Sequence, residues 1–245
     1  MRNIKITIKY DGSRYKGFQR LKDNDMTIQG KIEDVLSKMA NENIEIIGSG
    51  RTDMGVHAYG QVANFKTTSN LSVDKMKTYL YEYLPEDIRV VSIAVVPERF
   101  HSRLNAKRKI YRYRIWNTAV PTVFERRYVY VLPEPLHITA MQQAASFLIG
   151  RHDFKAFTSS KKGKKSTVRT IERITIERLG NEVVLTYQGD GFLYHMVRIV
   201  TGTLVEVGLG MRSADSVVAL LENGKREHAG VLLPAKGLCL MEVQY

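Results

Sequence analysis

Apolar and polar positions alternate from the start of the chain, with Ile4, Ile6, Ile8 and Tyr10 on one side and polar or charged residues between them. That period of two predicts a half-buried strand. The period then changes. Ile28, Ile32, Val35, Leu36 and Met39 recur at helical spacing behind Thr27, whose hydroxyl suits an N-cap, so a helix is expected there. Ile44–Ile47 and Gln61–Lys66 read as strands, Ser72 caps a helix running to about Tyr83, and Ile88–Val96 reads as a strand. The order β-α-β-β-α-β is that of a ferredoxin-like unit, with two helices over one face of an antiparallel sheet.

The second half repeats the theme without a recognisable sequence repeat. Lys109–Trp116 and Tyr128–Leu132 read as strands, Thr139–Ile149 as a helix, and Val168–Arg178 with Glu182–Gln188 as a hairpin turning at Gly180-Asn181. A helix from Leu193 to about Val207 is apolar on nearly every face and should be buried. A short helix, Ser213–Leu221, and a strand, Leu238–Tyr245, follow. The pattern predicts an α+β fold of two ferredoxin-like halves sharing a mostly antiparallel sheet around a central cleft. Residues 1–105 would form the first and 106–245 the second. No Pro or Gly linker marks the boundary near residues 103–108, so the halves are expected to pack rather than hinge.

Composition narrows the class. The chain has 245 residues, of which 44% are hydrophobic, enough to bury a core, and it carries a net charge of +12. No apolar run approaches a membrane span, and the N-terminus enters an alternating strand instead of the apolar core of a signal peptide, so a cytoplasmic protein is expected. The single cysteine, Cys239, excludes an internal disulfide and reads as a small buried hydrophobe; the six histidines show no zinc-ligand spacing, so no metal is expected. The positive charge is regional. Residues 99–131 hold nine Lys or Arg against Glu125, and residues 155–173 hold seven against Glu172, so the remainder of the chain is slightly acidic. A phosphate-rich partner is the natural inference, the plain alternative being a solvated basic face. The segment Ser159–Thr167, SSKKGKKST, reads as a basic loop that would track phosphates or merely solubilise.

Candidate chemistry concentrates in Gly48–Ala58, GSGRTDMGVHA. Its glycines allow close backbone approaches, and Asp53 is displayed just past a strand. A dinucleotide fingerprint would need glycine where Asp53 stands, and a P-loop would need Lys then Ser or Thr where Val56 and His57 stand. A glycine-rich turn with a capping Asp is the plain alternative. Arg198 interrupts the apolar helix, with His195 three residues before it, and a guanidinium held in a core calls for a carboxylate; Asp53 is the candidate partner, unless Arg198 snorkels to solvent. Tyr111 and Tyr113 share one strand face, opposite Ile110, Arg112 and Arg114, and could stack on a base or be ordinary sheet tyrosines. Lys16-Gly17-Phe18 begins like the stacking motif of an RRM, but Gln19 occupies the place of a required Gly or Ala.

Taken together, YDGSRYKGFQ (from Tyr10), Thr27-Ile28-Gln29, GRTDMGVHA, Phe100-His101-Ser102-Arg103, Lys109-Ile110-Tyr111-Arg112-Tyr113, Gly150-Arg151-His152-Asp153-Phe154, Phe192 with His195-Met196-Val197-Arg198, and Gly237-Leu238 resemble the tRNA pseudouridine synthase A family over essentially the whole chain. The resemblance implies isomerisation of uridine to pseudouridine in the tRNA anticodon arm, at positions 38 to 40, by a homodimer without organic cofactor or metal. By motif, it implies Asp53 as nucleophile, Arg51 as the side chain filling the space of a flipped nucleotide, Tyr111 stacking on the uracil, and Arg198 pairing with Asp53. Substrate contacts are expected from Arg14, Phe18, Gln19, His57, Arg103, His195, Lys161, Lys162, Lys164 and Lys165. Gly189-Asp190-Gly191, Leu232-Leu233-Pro234, Lys236 and Cys239 depart from the family pattern. Two other readings stay open from the residues alone. One is a noncatalytic tRNA binder, and the other a nucleoside glycosidase, for which Asp11 or Asp190 would have to supply a second carboxylate.

Overall fold

The computed structural model describes residues 1–160 and 166–245. Among them it holds five α-helices and ten strands in a mixed α+β arrangement, with mostly antiparallel strand pairs. The chain divides into two compact units, Met1–Lys107 with Cys239–Tyr245, and Arg108–Leu238.

The first unit opens with β1 (Arg2–Tyr10), α1 (Ile28–Ala40), β2 (Ile47–Gly48), β3 (His57–Thr67), α2 (Val73–Tyr83) and β4 (Ile88–Val96). Its sheet runs β4-β1-β3, antiparallel throughout, with β2 also on β3. Ile4, Ile6 and Ile8 are fully buried together with Phe65, Ile28, Ile32, Leu36, Met76 and Leu80, so the period-two and helical patterns meet in one core. Both predicted N-caps form: the Thr27 and Ser72 hydroxyl oxygens accept from Gly30 and Lys75 N–H at 3.2 and 3.3 Å. The strand expected over Ile44–Ile47 shrinks to the two residues of β2. Ile44 N–H donates to Ser37 Oγ and Ile46 N–H to Glu33 Oε1, each at 2.9 Å, so side chains of α1 take the donors that a ladder would use.

The second unit contains β5 (Arg108–Trp116), β6 (Tyr130–Val131), α3 (Ile138–Ser146), β7 (Gly150–Asp153), β8 (Val168–Leu179), β9 (Glu182–Gly189), α4 (Met196–Gly208) and α5 (Ser216–Asn223). Its sheet runs β5-β9-β8-β7 antiparallel, with β6 parallel along β5. The β8–β9 hairpin turns at Gly180, whose φ of +58° suits glycine. The apolar pattern predicts no strand at β7, which the Gly150–Phe154 motif supplies. α4 starts at Met196 rather than Leu193, because His195 sits at φ +65°, a conformation that cannot continue into a right-handed helix. His195 thus precedes the helix instead of sharing a helical face with Arg198. Every residue of α4 is buried except Arg198 and Glu206. The segment at Val231 lies so close that a Cβ on Gly202 would stand 2.0 Å from Val231 O. At 13 residues α4 falls well short of the roughly 20 a span needs, and no helix among the described residues is long and apolar enough to cross a membrane.

The final strand, β10 (Leu238–Gln244), returns to the first unit and runs parallel on β3, with Cys239 beside His57 and Leu240 beside Ala58. It occupies the edge of β3 opposite β1; β2 meets that edge at the other end, opposite Ala63 and Asn64. Gly60 permits this, since a Cβ there would lie 2.4 Å from Met241 O. Cys239 is half-buried, not the fully buried hydrophobe expected. Past β10, Tyr245 OH donates to Ser102 O at 2.8 Å and its ring lies 5.0 Å from that of Phe100; burial pushes its phenol up to about 12.

Candidate active site

The segment joining β2 to β3 contains Asp53, and its neighbours are tied down on several sides. Ser49 N–H donates to Val62 O at 2.7 Å, Ser49 Oγ to Gln61 Oε1 at 2.7 Å, and Gln61 Nε2 to Gly50 O at 3.1 Å. Thr52 is buried. Its hydroxyl shares a hydrogen bond of 2.7 Å with Tyr10 OH, and its carbonyl accepts from Phe18 N–H at 3.0 Å. Asp53 O accepts from Val56 N–H at 3.1 Å, closing a turn through Gly55 at φ +79°. Asp53 is half-buried, and Arg51 and Met54 are exposed. The loop therefore offers a carboxylate and a guanidinium from a rigid base.

The Tyr10–Gln19 segment is that base. A Cβ at Gly12 would lie 2.0 Å from Val56 O, and one at Gly17 (φ +104°) 2.9 Å from Thr52 O, so two glycines let one backbone rest on the other. The same segment feeds α1, whose Ile28 and Gln29 N–H groups donate to Gly17 O at 3.2 Å and Phe18 O at 2.8 Å, giving partners to otherwise orphaned helix-start donors. Tyr15 OH donates to Asp87 Oδ1 at 2.5 Å; burial, then Asp87, raises this phenol above its ordinary range. His57 is buried, and its Nδ1 meets both Gly12 N–H and Asp11 Oδ1 at 3.1 Å. With its lone pair Nδ1 accepts from Gly12 N–H, so His57, at the start of β3, is tied to the Tyr10–Gln19 segment.

A groove of about 450 Å³ opens beside the loop, lined by Phe18, Gln19, Gln29, Ile46, Ile47, Gly48, Gly50, Arg51, His101, Arg103 and Leu104. It gathers four of the expected residues (Phe18, Gln19, Arg51, Arg103). Arg14 is an exposed side chain 3.6 Å from Asp87 and lies outside that lining, as does His57.

In the second unit Tyr111 is buried on β5, on the inward face with Tyr113 and Ile115, and Phe192 meets its ring edge-on at 5.2 Å and 83°. Arg198 Nε donates to Leu233 O at 2.7 Å, and Tyr113 OH to Pro234 O at 2.7 Å. Both contacts use backbone carbonyls. The departures from the family pattern at Leu233 and Pro234 thus leave the acceptors unchanged. Burial raises the Tyr113 phenol, against a lowering influence of Arg198. His195 stacks on Tyr194 with centroids 3.6 Å apart.

Comparison with known proteins adds what this geometry alone does not. Residues 6–105 and 144–245 match the family model described as tRNA pseudouridine synthase. The chain belongs to that family. It is 50% identical over 245 residues to the tRNA pseudouridine synthase A of Bacillus sp. (strain KSM-64) and 51% identical over 245 residues to tRNA pseudouridine synthase A 1 of Clostridium tetani, covering 100% of both chains in each case. A relative from Bacillus cereus (strain ZK / E33L), tRNA pseudouridine synthase A 2, is 45% identical over the same full length. The family is one of isomerases.

For a tRNA pseudouridine synthase the surviving positive charge matters, and part of the basic window is neutralised by ion pairs within it and beyond it. Arg108 pairs with Glu172 at 2.5 Å, and Arg114 with Glu125 at 2.8 Å and Glu182 at 2.6 Å. Gln188 and Arg108 hold the Glu172 carboxyl below its ordinary range. Arg112 and Arg103 stay exposed. Lys161, Lys162, Lys164 and Lys165 lie outside the described residues. Among the described residues no group of three or more His, Cys, Asp or Glu side chains is placed to hold a metal. Two carboxylates considered for a glycosidase are engaged structurally: Asp11 Oδ1 accepts from Ser13 N–H at 2.9 Å and Ser13 Oγ at 2.6 Å, and Asp190 Oδ1 from Thr170 N–H at 3.0 Å. Sequence reasoning missed His101, although it stood inside a quoted motif, and it missed Asn64. The latter gave no signal, being one polar residue in a strand.

Proposed function

We propose that the chain isomerises uridine to pseudouridine in the anticodon arm of tRNA, positions 38 to 40, with Asp53 as the nucleophile acting on a flipped nucleotide. The supporting observation is the half-buried Asp53 on a loop held from both flanks, two residues after an exposed Arg51. In this reading the Asp53 carboxylate adds to the nucleotide, the N1–C1′ bond breaks, the uracil turns, C5 bonds to C1′, and the bond to Asp53 breaks to regenerate the carboxylate. The C5 proton leaves to solvent and N1 gains one, so the change is an isomerisation with no redox partner. Arg51 takes the space that the uridine vacates, and Tyr111, its ring braced by Phe192, stacks on the base. Arg198, its Nε tied to Leu233 O, keeps the Asp53 carboxylate ionised in this scheme. The same reading makes the protein a homodimer, which its mass in solution would test.

The experiment is tritium release from tRNA labelled at uracil C5. Asp53→Ala and Asp53→Asn should each lower turnover by on the order of 10³ or more while tRNA is still bound. Undiminished release would refute the nucleophile, and release of free uracil would turn the reading to a glycosidase.

A further inference from the structure

The groove beside the loop has a composition suited to one part of an RNA. No carboxylate is among its lining residues, whereas Arg51, Arg103 and His101 all are. The nearby buried Glu33 does not cancel that charge, because Arg20 lies 3.1 Å from it and Gln29 Nε2 and Ile46 N–H donate to it at 2.7 and 2.9 Å. Gln29 is thereby held as wall: its Oε1 accepts from Arg20 N–H at 3.1 Å. Phe18, Ile46 and Ile47 give the groove an apolar floor, of which Ile47 is the exposed part, and Gly48 makes room for the Phe18 ring, since a Cβ there would stand 2.5 Å from it.

His101 is prepared as a donor. Its Nδ1 accepts from the N–H groups of Arg103 and Leu104 at 3.1 and 3.3 Å, which leaves Nε2 as the ring's proton donor when the imidazole is neutral. The turn presenting it is pinned from below. Asn64, 2% exposed, accepts from Ser102 N–H and Oγ at 2.8 Å each and donates to Asn3 Oδ1 at 3.0 Å. Asn3 in turn donates to the carbonyls of Pro97, Glu98 and Phe100 at 3.1, 3.3 and 2.8 Å.

We infer that this groove is a second nucleotide subsite, taking an unpaired nucleotide that flanks the target uridine. Arg103 and His101 hold its phosphodiester and the apolar floor takes its base. The inference rests on the proposed function. Arg51 belongs to both places, and since two residues of chain span at most about 7 Å, the subsite lies within a nucleotide's reach of Asp53. A single strand suits it, because the unstacked base of a loop nucleotide can reach a floor that a paired base cannot. Asn64 and Asn3 are positioning residues, acting through the turn that carries His101 and Arg103.

The test uses the full chain with Asp53→Asn, so that tRNA binding is read without turnover, and compares it with the same chain carrying Arg103→Ala or Arg103→Lys. Arg103→Ala should weaken binding about tenfold at low salt and reduce the slope of log K against log salt by about 1, and Arg103→Lys should keep the slope. In the otherwise native enzyme, the loss from Arg103→Ala should fall on KM rather than on kcat. Replacing single anticodon-arm phosphates by neutral methylphosphonates should then find one linkage, within two nucleotides of the target, whose neutralisation weakens binding by the chain that keeps Arg103 and leaves binding by the Arg103→Ala variant unchanged. An unchanged slope, a loss confined to kcat, or no such linkage would overturn the subsite. Absence of pseudouridine formation by the native enzyme would instead overturn the proposed function, because the binding measurement does not depend on it.

Discussion

The two units reach similar α+β arrangements with different interiors. In the first, buried side chains among the described residues include Asn3, Asn64, Gln61, Glu33 and His57, besides several hydroxyls. In the second the buried polar side chains among the described residues are, tyrosines aside, Asn117 and the hydroxyls of Thr158, Thr201 and Thr203, and α4 is apolar on nearly every face. The hydroxyls in α4 are satisfied locally, Thr201 and Thr203 donating to Val197 O and Ile199 O at 2.6 and 2.9 Å. Apolar contacts are non-directional, whereas an amide holds its partners at set distances and angles. The first unit uses that directionality where it matters. Ser49, Gln61 and Thr52 flank Asp53, Glu33 stands behind the groove, and Asn3 with Asn64 holds the turn of His101 and Arg103. The second unit is specified mainly by shape.

The largest effect should come from removing the directional element. Asn64→Leu leaves Ser102 N–H, Ser102 Oγ and Asn3 Oδ1 without their buried partner, and each such loss costs about 1–3 kcal/mol. A total of about 3 kcal/mol in urea unfolding is expected, together with a raised KM for tRNA. A loss below about 1 kcal/mol would show that the first unit tolerates an apolar interior as the second does.

Gly202→Ala probes the opposite case. Ala is better than Gly in a helix by about 1 kcal/mol, but its Cβ would stand 2.0 Å from Val231 O, and overpacking of that kind costs about 1–3 kcal/mol with backbone movement added. Overlap should win, giving about 2 kcal/mol of destabilisation in the same assay. Stabilisation would mean that shape does not specify the second unit.

The smallest effect is a pH dependence, and it distinguishes the units by mechanism. Hydrogen bonds from Thr67 and Thr68 hold the Glu42 carboxyl below its ordinary 4.5, and Gln188, then Arg108, do the same for Glu172. With the folded value depressed, each group's contribution is complete above about pH 4.5 and fades as pH falls through the folded value, because the unfolded chain binds the proton more readily. Glu42→Gln and Glu172→Gln should therefore be less stable than the native chain at about pH 7, and the gap should narrow below about pH 4. High salt should shrink only the Glu172 gap, since only that carboxylate faces a cation.

Local patterns carried much of the fold. Thr27, Ser72 and Gly180-Asn181 mark element ends by their own chemistry, and the apolar periods of β1, α1 and α4 need no distant partner to be read. Misreadings arose where a distant partner decided the outcome. Ile44–Ile47 looks like a strand, but Ser37 and Glu33 take two of its amides. His195 looks helical, but its backbone is left-handed. At the site, Asp53 and Arg51 were legible because their loop is contiguous. The Asn64–Ser102 contact joins residues far apart in sequence and leaves no periodic trace, and nothing in Leu238–Gln244 says which sheet edge it will meet.

That last strand gives the first unit an order of assembly. β10 lies beside His57 at the end of the Asp53 loop, and Tyr245 clamps Ser102 beneath the groove's donors. Both contacts come from residues synthesised after the whole of 108–238. At about 5–20 residues per second, the ribosome adds those intervening residues over on the order of ten seconds. A nascent chain therefore carries for that interval an unfinished edge of β3 next to the Asp53 loop, open to pairing with other strands. Until β10 arrives, that stretch of β3 lacks its parallel neighbour, so the first unit is completed only by residues that follow the whole of the second in sequence.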